Sequence, residues 1–226
     1  MSTVGAVGLD ARPTTSGTER APAKQARSRR TRQRLIAAGR ELIEHQDFDD
    51  TGIAQFASMA DVSVGAFYHH FRDKDDYYAA IVETITDSMW QRFEAEFHGR
   101  DLASLDTPTM VRHAVQFIRD VVIDSQGLMR TALKKSMQDP AAWEPIRGFA
   151  RSYSQHLHTL LSARSDDIAY RPLDLGIRRG MQMLYSTLFN AVINRPEPMA
   201  IEDPQIVDEL THMMIAYLGV RTDNAG

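Results

Sequence analysis

The chain contains no cysteine. That one absence removes disulfide frameworks, thiolate zinc sites, iron–sulfur ligation and cysteine nucleophiles together, and a reducing, cytoplasmic setting is expected. Long apolar runs are missing too, since nothing approaches the roughly 20 residues that span a bilayer. The opening, MSTVGAVGLDARPTTSGTER, has neither the basic start nor the apolar stretch of a signal peptide. No membrane partner is expected. Runs of alternating β-branched residues are also absent, so no sheet is expected. There is no G-x-S-x-G, no H-E-x-x-H, no P-loop and no paired carboxylate–histidine helix motif of a known active site, which argues against an enzyme and against a metal or other cofactor.

What is present is unevenly placed charge. The net charge is -4, yet Arg20, Lys24, Arg27, Arg29, Arg30, Arg32, Arg34 and Arg40 form a basic stretch without an acid, followed by Glu41, Glu44, Asp47, Asp49 and Asp50. A basic segment on an acidic chain is the footprint of a local polyanion contact. A solvated arm without a partner is the alternative that charge alone leaves open.

Residues 1–24 are rich in small and polar residues without a hydrophobic period and read as a flexible tail. From there the pattern is helical almost throughout. Leu35, Ile36, Ala38, Gly39, Leu42 and Ile43 make the stripe of a first helix over 28–45. Thr51 is placed as the N-cap of a short second helix carrying Ile53, Phe56, Ala57 and Ala60 at helical spacing. Ser63 caps a third over 64–71. Asp73 and Asp76 resemble a capping box at the head of a long fourth helix, 74–97, with Tyr78, Ile81, Val82, Ile85, Met89, Phe93 and Phe97 on its stripe. Downstream, DTPT, QDPAAW and EDPQIV set Pro108, Pro140 and Pro204 just after Thr107, Asp139 and Asp203, marking three helix starts. They give helices over 107–125, 140–164 and 204–218, with others over 128–137 and 172–194. The expected fold is all-α, with about nine helices: a small helix-turn-helix head over 25–73 and a larger body over 74–226.

Two short helices joined by a tight turn meet the constraints of a helix-turn-helix. Ala57 is small where the helices cross. Asp61 occupies a position that requires left-handed backbone. Val62, Phe67, Phe56 and Phe71 fill the angle between the helices. Val64, Gly65, Ala66, Tyr68 and His69 are left on the outer face, with Ser63 at its start and His70 at its rim. Small residues there let a backbone approach a groove floor, Tyr68 has a hydroxyl for a phosphate, and Lys74 is a point charge for another. His69 and His70 are adjacent, diverge by about 100° on a helix and cannot share a metal as an i, i+4 pair could.

From about Thr31 to Val82 the sequence resembles the N-terminal domain of the TetR/AcrR family of one-component transcriptional regulators. The resemblance rests on TRQRLIAAGRELI and TGIAQFASMADVSVGAFYHHFRDKDD, with Phe56-Ala57, Ala60-Asp61-Val62-Ser63, Gly65, Phe67-Tyr68, His70-Phe71 and Lys74 at fixed offsets. It implies double-stranded operator DNA as partner, read by Val64, Gly65, Ala66, Tyr68 and His69, with Lys74 on phosphate. It further implies that Thr51, Gly52 and Ile53 add contacts at the start of the second helix, and that Arg29, Arg30 and Arg32 reach phosphates or the minor groove. The chain departs from the family at Gln46 and Asp47, where a glycine is usual, and at Asp61, where the turn glycine is usual.

The body matches no further motif. The apolar stripes of its last two helices, Leu173 to Val192 and Ile206 to Tyr217, are wider than a monomer's surface helix needs, so a homodimer through them is expected, with intramolecular core as the alternative. The middle helices are dense in aromatics and methionines. Trp90, Phe93, Met110, Phe117, Trp143, Phe149, Tyr153 and Tyr185, with His113, Gln182 and Asn190 as polar contacts, are candidates to line a site for a small, mostly apolar effector, core packing being the alternative for each. The function expected is a ligand-released regulator, a repressor, on a palindromic site. An all-α enzyme or an adaptor without specific DNA binding is the competing class, which leaves the basic arm and the small-residue face without a purpose.

Overall fold

In a computed structural model the chain is described over residues 20–97 and 102–222. Among them there are nine α-helices and no β-strand: α1 Arg20–His45, α2 Ile53–Met59, α3 Val64–His70, α4 Lys74–Phe97, α5 Thr107–Asp124, α6 Gln126–Ser136, α7 Glu144–Ser162, α8 Leu173–Asn194 and α9 Gln205–Leu218. The tail expected over 1–24 lies outside the described residues as far as residue 19. From Arg20 the chain is already helical.

α1, α2 and α3 form the head, wrapped around the first turns of α4. The anticipated stripe of α1 is buried throughout, with Leu35 at 0% exposure. α4 is 24 residues long, about 36 Å at 1.5 Å per residue, and continues from the head into the body. There α5 packs on α8 and α9, α7 on α4 and α8, and α6 lies between α1 and α8.

Several helix starts differ in detail from expectation. α2 begins from Gly52, which makes no side-chain cap; Thr51 is buried and its Oγ1 donates to the Asp47 carbonyl at 2.9 Å. Asp106, not Thr107, caps α5, accepting from Thr109 N at 2.7 Å, because Thr107 already lies in the helix and donates its hydroxyl to Asp167 at 2.6 Å. The Asp139–Pro140 signal starts a 3₁₀ turn, Pro140–Trp143, that precedes α7 instead of opening it. Asp73 accepts from Asp76 N, while Asp76 accepts from Arg72 N, at 2.8 and 2.9 Å, a reciprocal cap at the head of α4.

The head approaches α4 most closely at Gly39. A Cβ added to Gly39 would lie 2.4 Å from both Ile81 Cδ1 and Tyr77 Oη, so only glycine lets α1 approach α4 this closely. Gly→Ala inside a helix ordinarily gains about 1 kcal/mol, but at Gly39 the overlap is expected to destabilise the fold by about 1–3 kcal/mol. Gly148 in α7, where a Cβ meets only Arg151 Nη2 at 3.9 Å, is the opposite case, and Gly148→Ala is expected to stabilise. Chemical denaturation of the two variants reads the contrast directly.

Candidate functional site

The turn between α2 and α3 is built from α2's own C-terminus. Val62 N donates to Ala57 O at 2.9 Å and Asp61 N to Ser58 O at 3.0 Å, with Asp61 at φ 50. That is the paired closure of a helix ending in one left-handed residue, here an aspartate where glycine would be easiest. Arg34 of α1 holds the strained residue on both sides, donating to the Asp61 carbonyl at 2.9 Å and to its carboxylate at 2.7 Å. The Asp61 side chain is 95% exposed, so the pair adds little stability. Its effect is to place a cation over an acid that faces outward beside α3.

On the far side of the turn, Ser63 Oγ accepts from Ala66 N at 3.1 Å and starts α3. Phe67 is fully buried, which turns the other flank outward: Val64 is 41% and Tyr68 54% exposed, with Gly65 and His69 also on the surface. His70 is half-buried, and burial together with neighbouring His69 and Arg32 lowers its pKa. Arg29, Arg30 and Arg32 are exposed on α1, with the Arg32 guanidinium 5.5 Å from the Phe71 ring centroid.

Not every anticipated contact lies on this face. Gly52 is exposed and Ile53 partly so, but Thr51 is turned into the protein. Lys74 is only partly exposed, donates to the Asp49 carbonyl at 2.7 Å and lies 5.1 Å over the Phe48 ring; burial lowers its pKa. Its ammonium therefore braces the α1–α2 loop. Among the described residues no three potential ligands gather for a metal.

The residues missed in sequence are those that hold the head to the body. Gly127 at the start of α6 packs so tightly on the end of α1 that an added Cβ would lie 2.3 Å from the Ile43 carbonyl. Gly127 N donates to Glu44 at 2.8 Å, and Arg130 donates to the Glu44 carbonyl at 2.8 Å. One turn on, Lys134 meets Asp47 at 2.6 Å and Lys135 meets Asp49 at 3.1 Å. The acidic loop that follows the basic segment is thus an ion-paired dock for α6.

Behind α6 lies a cavity of about 480 Å³ between α5, α6, the 3₁₀ turn, α7 and α8. Trp143 and Tyr185 line it, as anticipated, with Val122, Met129, Leu133, Ile146 and Phe189. The other anticipated lining residues do not meet there. Phe93, Met110, Phe117, Phe149 and Tyr153 are buried and Trp90 is half-buried against them, with ring centroids of 5.1 Å for Trp90–Phe149 and 5.4 Å for Phe117–Tyr153. Tyr153 spends its hydroxyl on the Ala114 carbonyl at 2.6 Å. His113 pairs with Glu96 in a separate polar cleft. Gln182 is exposed on the outer side of α8, and Asn190 accepts from Asn194. These aromatics pack directly on one another, Trp90 edge to face on Phe149 and Phe117 stacked on Tyr153, so they form core and do not line the cavity.

A three-helix head presenting one short helix is thus mounted on a helical body with an apolar cavity. Residues 35–81 match the family model for bacterial regulatory proteins, tetR family. Over 62 residues the chain is 36% identical to the HTH-type transcriptional repressor NemR of Escherichia coli K12, covering 27% of this chain and 31% of that protein. Over 135 residues it is 28% identical to the HTH-type transcriptional regulator BetI of Burkholderia lata, covering 58% and 66%. The chain spans about a third of the length of the first of these relatives. A transcriptional regulator from Rhodococcus sp. Rha1 superposes with a TM-score of 0.64 at 17% identity, over 84% of this chain and 98% of that one. FadR from Bacillus subtilis, solved with stearoyl-CoA, superposes with 0.61 at 17%, over 82% and 98%. The head, residues 35–81, is that of the TetR/AcrR family of transcriptional regulators.

Burial at the α1–α6 contact raises the pKa of Glu44. A carboxyl raised on folding contributes stability that is present below its unfolded value of about 4.3 and lost as pH rises through the folded value. Glu44→Gln keeps the acceptor for Gly127 N without the buried charge. Its stability relative to the parent is therefore expected to improve between pH 4 and pH 7 in urea denaturation, and a relative loss over that interval contradicts the assignment.

Proposed function

We propose that the chain is a ligand-responsive regulator that binds a palindromic double-stranded operator as a homodimer, acts as a repressor and is released by a small effector in the cavity behind α6. The observation that carries this reading is the division of α3 into a buried flank at Phe67 and an exposed flank of Val64, Gly65, Tyr68 and His69, beside the arginines of α1. A helix of seven residues reaches few base pairs, so two heads on a symmetric site are the natural way to gain specificity. The half-buried apolar residues of α8 and α9, Ile193, Met213 and Tyr217 among them, favour those helices as the dimer contact. In this division of labour residues 25–73 read DNA and 74–226 sense and dimerise.

The effector has a short path to the head. Leu133, Ser136 and Pro140 face the cavity, while Lys134 and Lys135, between them in sequence, grip Asp47 and Asp49. A ligand that prefers one position of α6 shifts the loop carrying α2 by its differential affinity for the two states. On this reading the coupling runs through α6 as well as along α4. Replacing both lysines by alanine is expected to speed amide exchange over residues 46–52 while leaving α4 unchanged; unaltered exchange there removes this route.

DNA binding is tested with a gel shift on the DNA flanking the chain's own gene. Arg32→Ala is expected to weaken binding and reduce the salt slope by about 1, because it removes one phosphate charge. Tyr68→Phe is expected to weaken binding without altering the slope, since a hydroxyl displaces no counterion. Normal affinity in both variants refutes the assigned surface, and an adaptor shows no shift at all.

A further inference from the structure

The cavity behind α6 has a chemical bias as well as a shape. Its walls are apolar at Val122, Leu133, Trp143, Ile146 and Phe189, and no carboxylate lines it. Tyr185 spends its hydroxyl proton on the Ala150 carbonyl at 3.0 Å. Ser136 spends its own on Leu133 at 2.7 Å. Ser186, the third hydroxyl of the lining, can donate or accept, and the larger capacity left over is that of cationic and indole donors. Arg147 uses Nε on Glu144 at 3.0 Å and Nη2 on the Pro140 carbonyl at 2.8 Å, which leaves three of a guanidinium's five N–H groups unspent. Among the described residues, the Trp143 indole N–H meets no acceptor.

Charge points the same way. Glu144 is shared between two guanidiniums, Arg147 at 3.0 Å and Arg151 at 2.5 Å. Two cations on one carboxylate leave one positive charge over at the rim. A pocket with apolar walls whose one charged lining group is a guanidinium with N–H groups to spare fits a molecule that brings both an apolar body and its own acceptors, and a surplus guanidinium is best matched by a carboxylate.

We propose that the effector is an amphipathic anion, with its apolar body between Trp143, Ile146 and Phe189 and its carboxylate on Arg147. The proposal rests on the effector reading of this cavity given above, and the test separates the two. Decanoate, methyl decanoate and decylamine are titrated into the full-length protein by calorimetry, with the gel shift in parallel. Decanoate is expected to bind at least about tenfold more tightly than the ester, as a charge-assisted pair does over a neutral contact, and the amine not at all. Arg147→Gln is expected to remove the preference for the acid and leave ester binding unchanged. Arg151→Gln, outside the cavity, is expected to weaken decanoate only, because Glu144 then neutralises Arg147 fully. Glu144→Gln is expected to strengthen it severalfold. Ala150→Trp fills the cavity and is expected to abolish binding of acid and ester alike.

The Arg151 and Glu144 variants keep the test valid if Arg147→Gln fails to fold. Equal binding of acid and ester, or charge variants that leave decanoate binding unchanged, overturns the anion assignment while the effector cavity stands. If none of the three probes binds up to its solubility limit, the anion assignment and the effector reading both fall.

Discussion

Tyr77 is the contact on which the head depends. Its ring is fully buried, with centroids of Phe56 and Phe67 at 5.0 Å, Phe71 at 4.9 Å and Phe48 at 6.2 Å, and its hydroxyl donates to the Leu35 carbonyl. One side chain of α4 therefore touches the α1–α2 loop, α2, α3 and the residue that ends α3. Short helices are marginal on their own, and α2 and α3 have seven residues each. Their angle is maintained by a shared aromatic centre supplied from the next helix. The head moves with α4 because it is packed around it.

A second attachment ties the head to the body. Gly127 and Glu44 bring α6 against the end of α1, and Lys134 and Lys135 continue the contact into the Asp47–Asp49 loop. The partly exposed ion pairs add little stability, whereas the glycine contact fixes distance. The result is a head with one apolar anchor on α4 and one polar anchor on α6, and the polar anchor borders the cavity.

Much of the head was legible in the sequence because its requirements are local. The left-handed turn residue, the Ser63 cap, the buried Phe56, Phe67 and Phe71 and the exposed flank of α3 each follow from spacing within a few residues. Tyr77 escaped because its neighbour Tyr78 fits the apolar stripe of α4 equally well, and both are buried. Lys74 was read as a free charge because its acceptor, the Asp49 carbonyl, is 25 positions away. The cavity was legible only in part for the same reason. Composition identified the aromatic-rich helices but not which rings pair with one another. The Pro140–Trp143 turn sets Trp143 apart from the packed cluster and against Phe189, with centroids 5.0 Å apart.

The two flanks of α3 carry separate burdens. Phe67, which packs the helix, points inward to Tyr77, Ser63 caps its start, and Val64, Gly65 and His69 are left outside. Exposed positions of this kind usually tolerate substitution within about 0.5 kcal/mol. The scaffold can therefore hold its shape while the outward residues drift, so a duplicated copy of such a gene can acquire a new target without first acquiring a new fold.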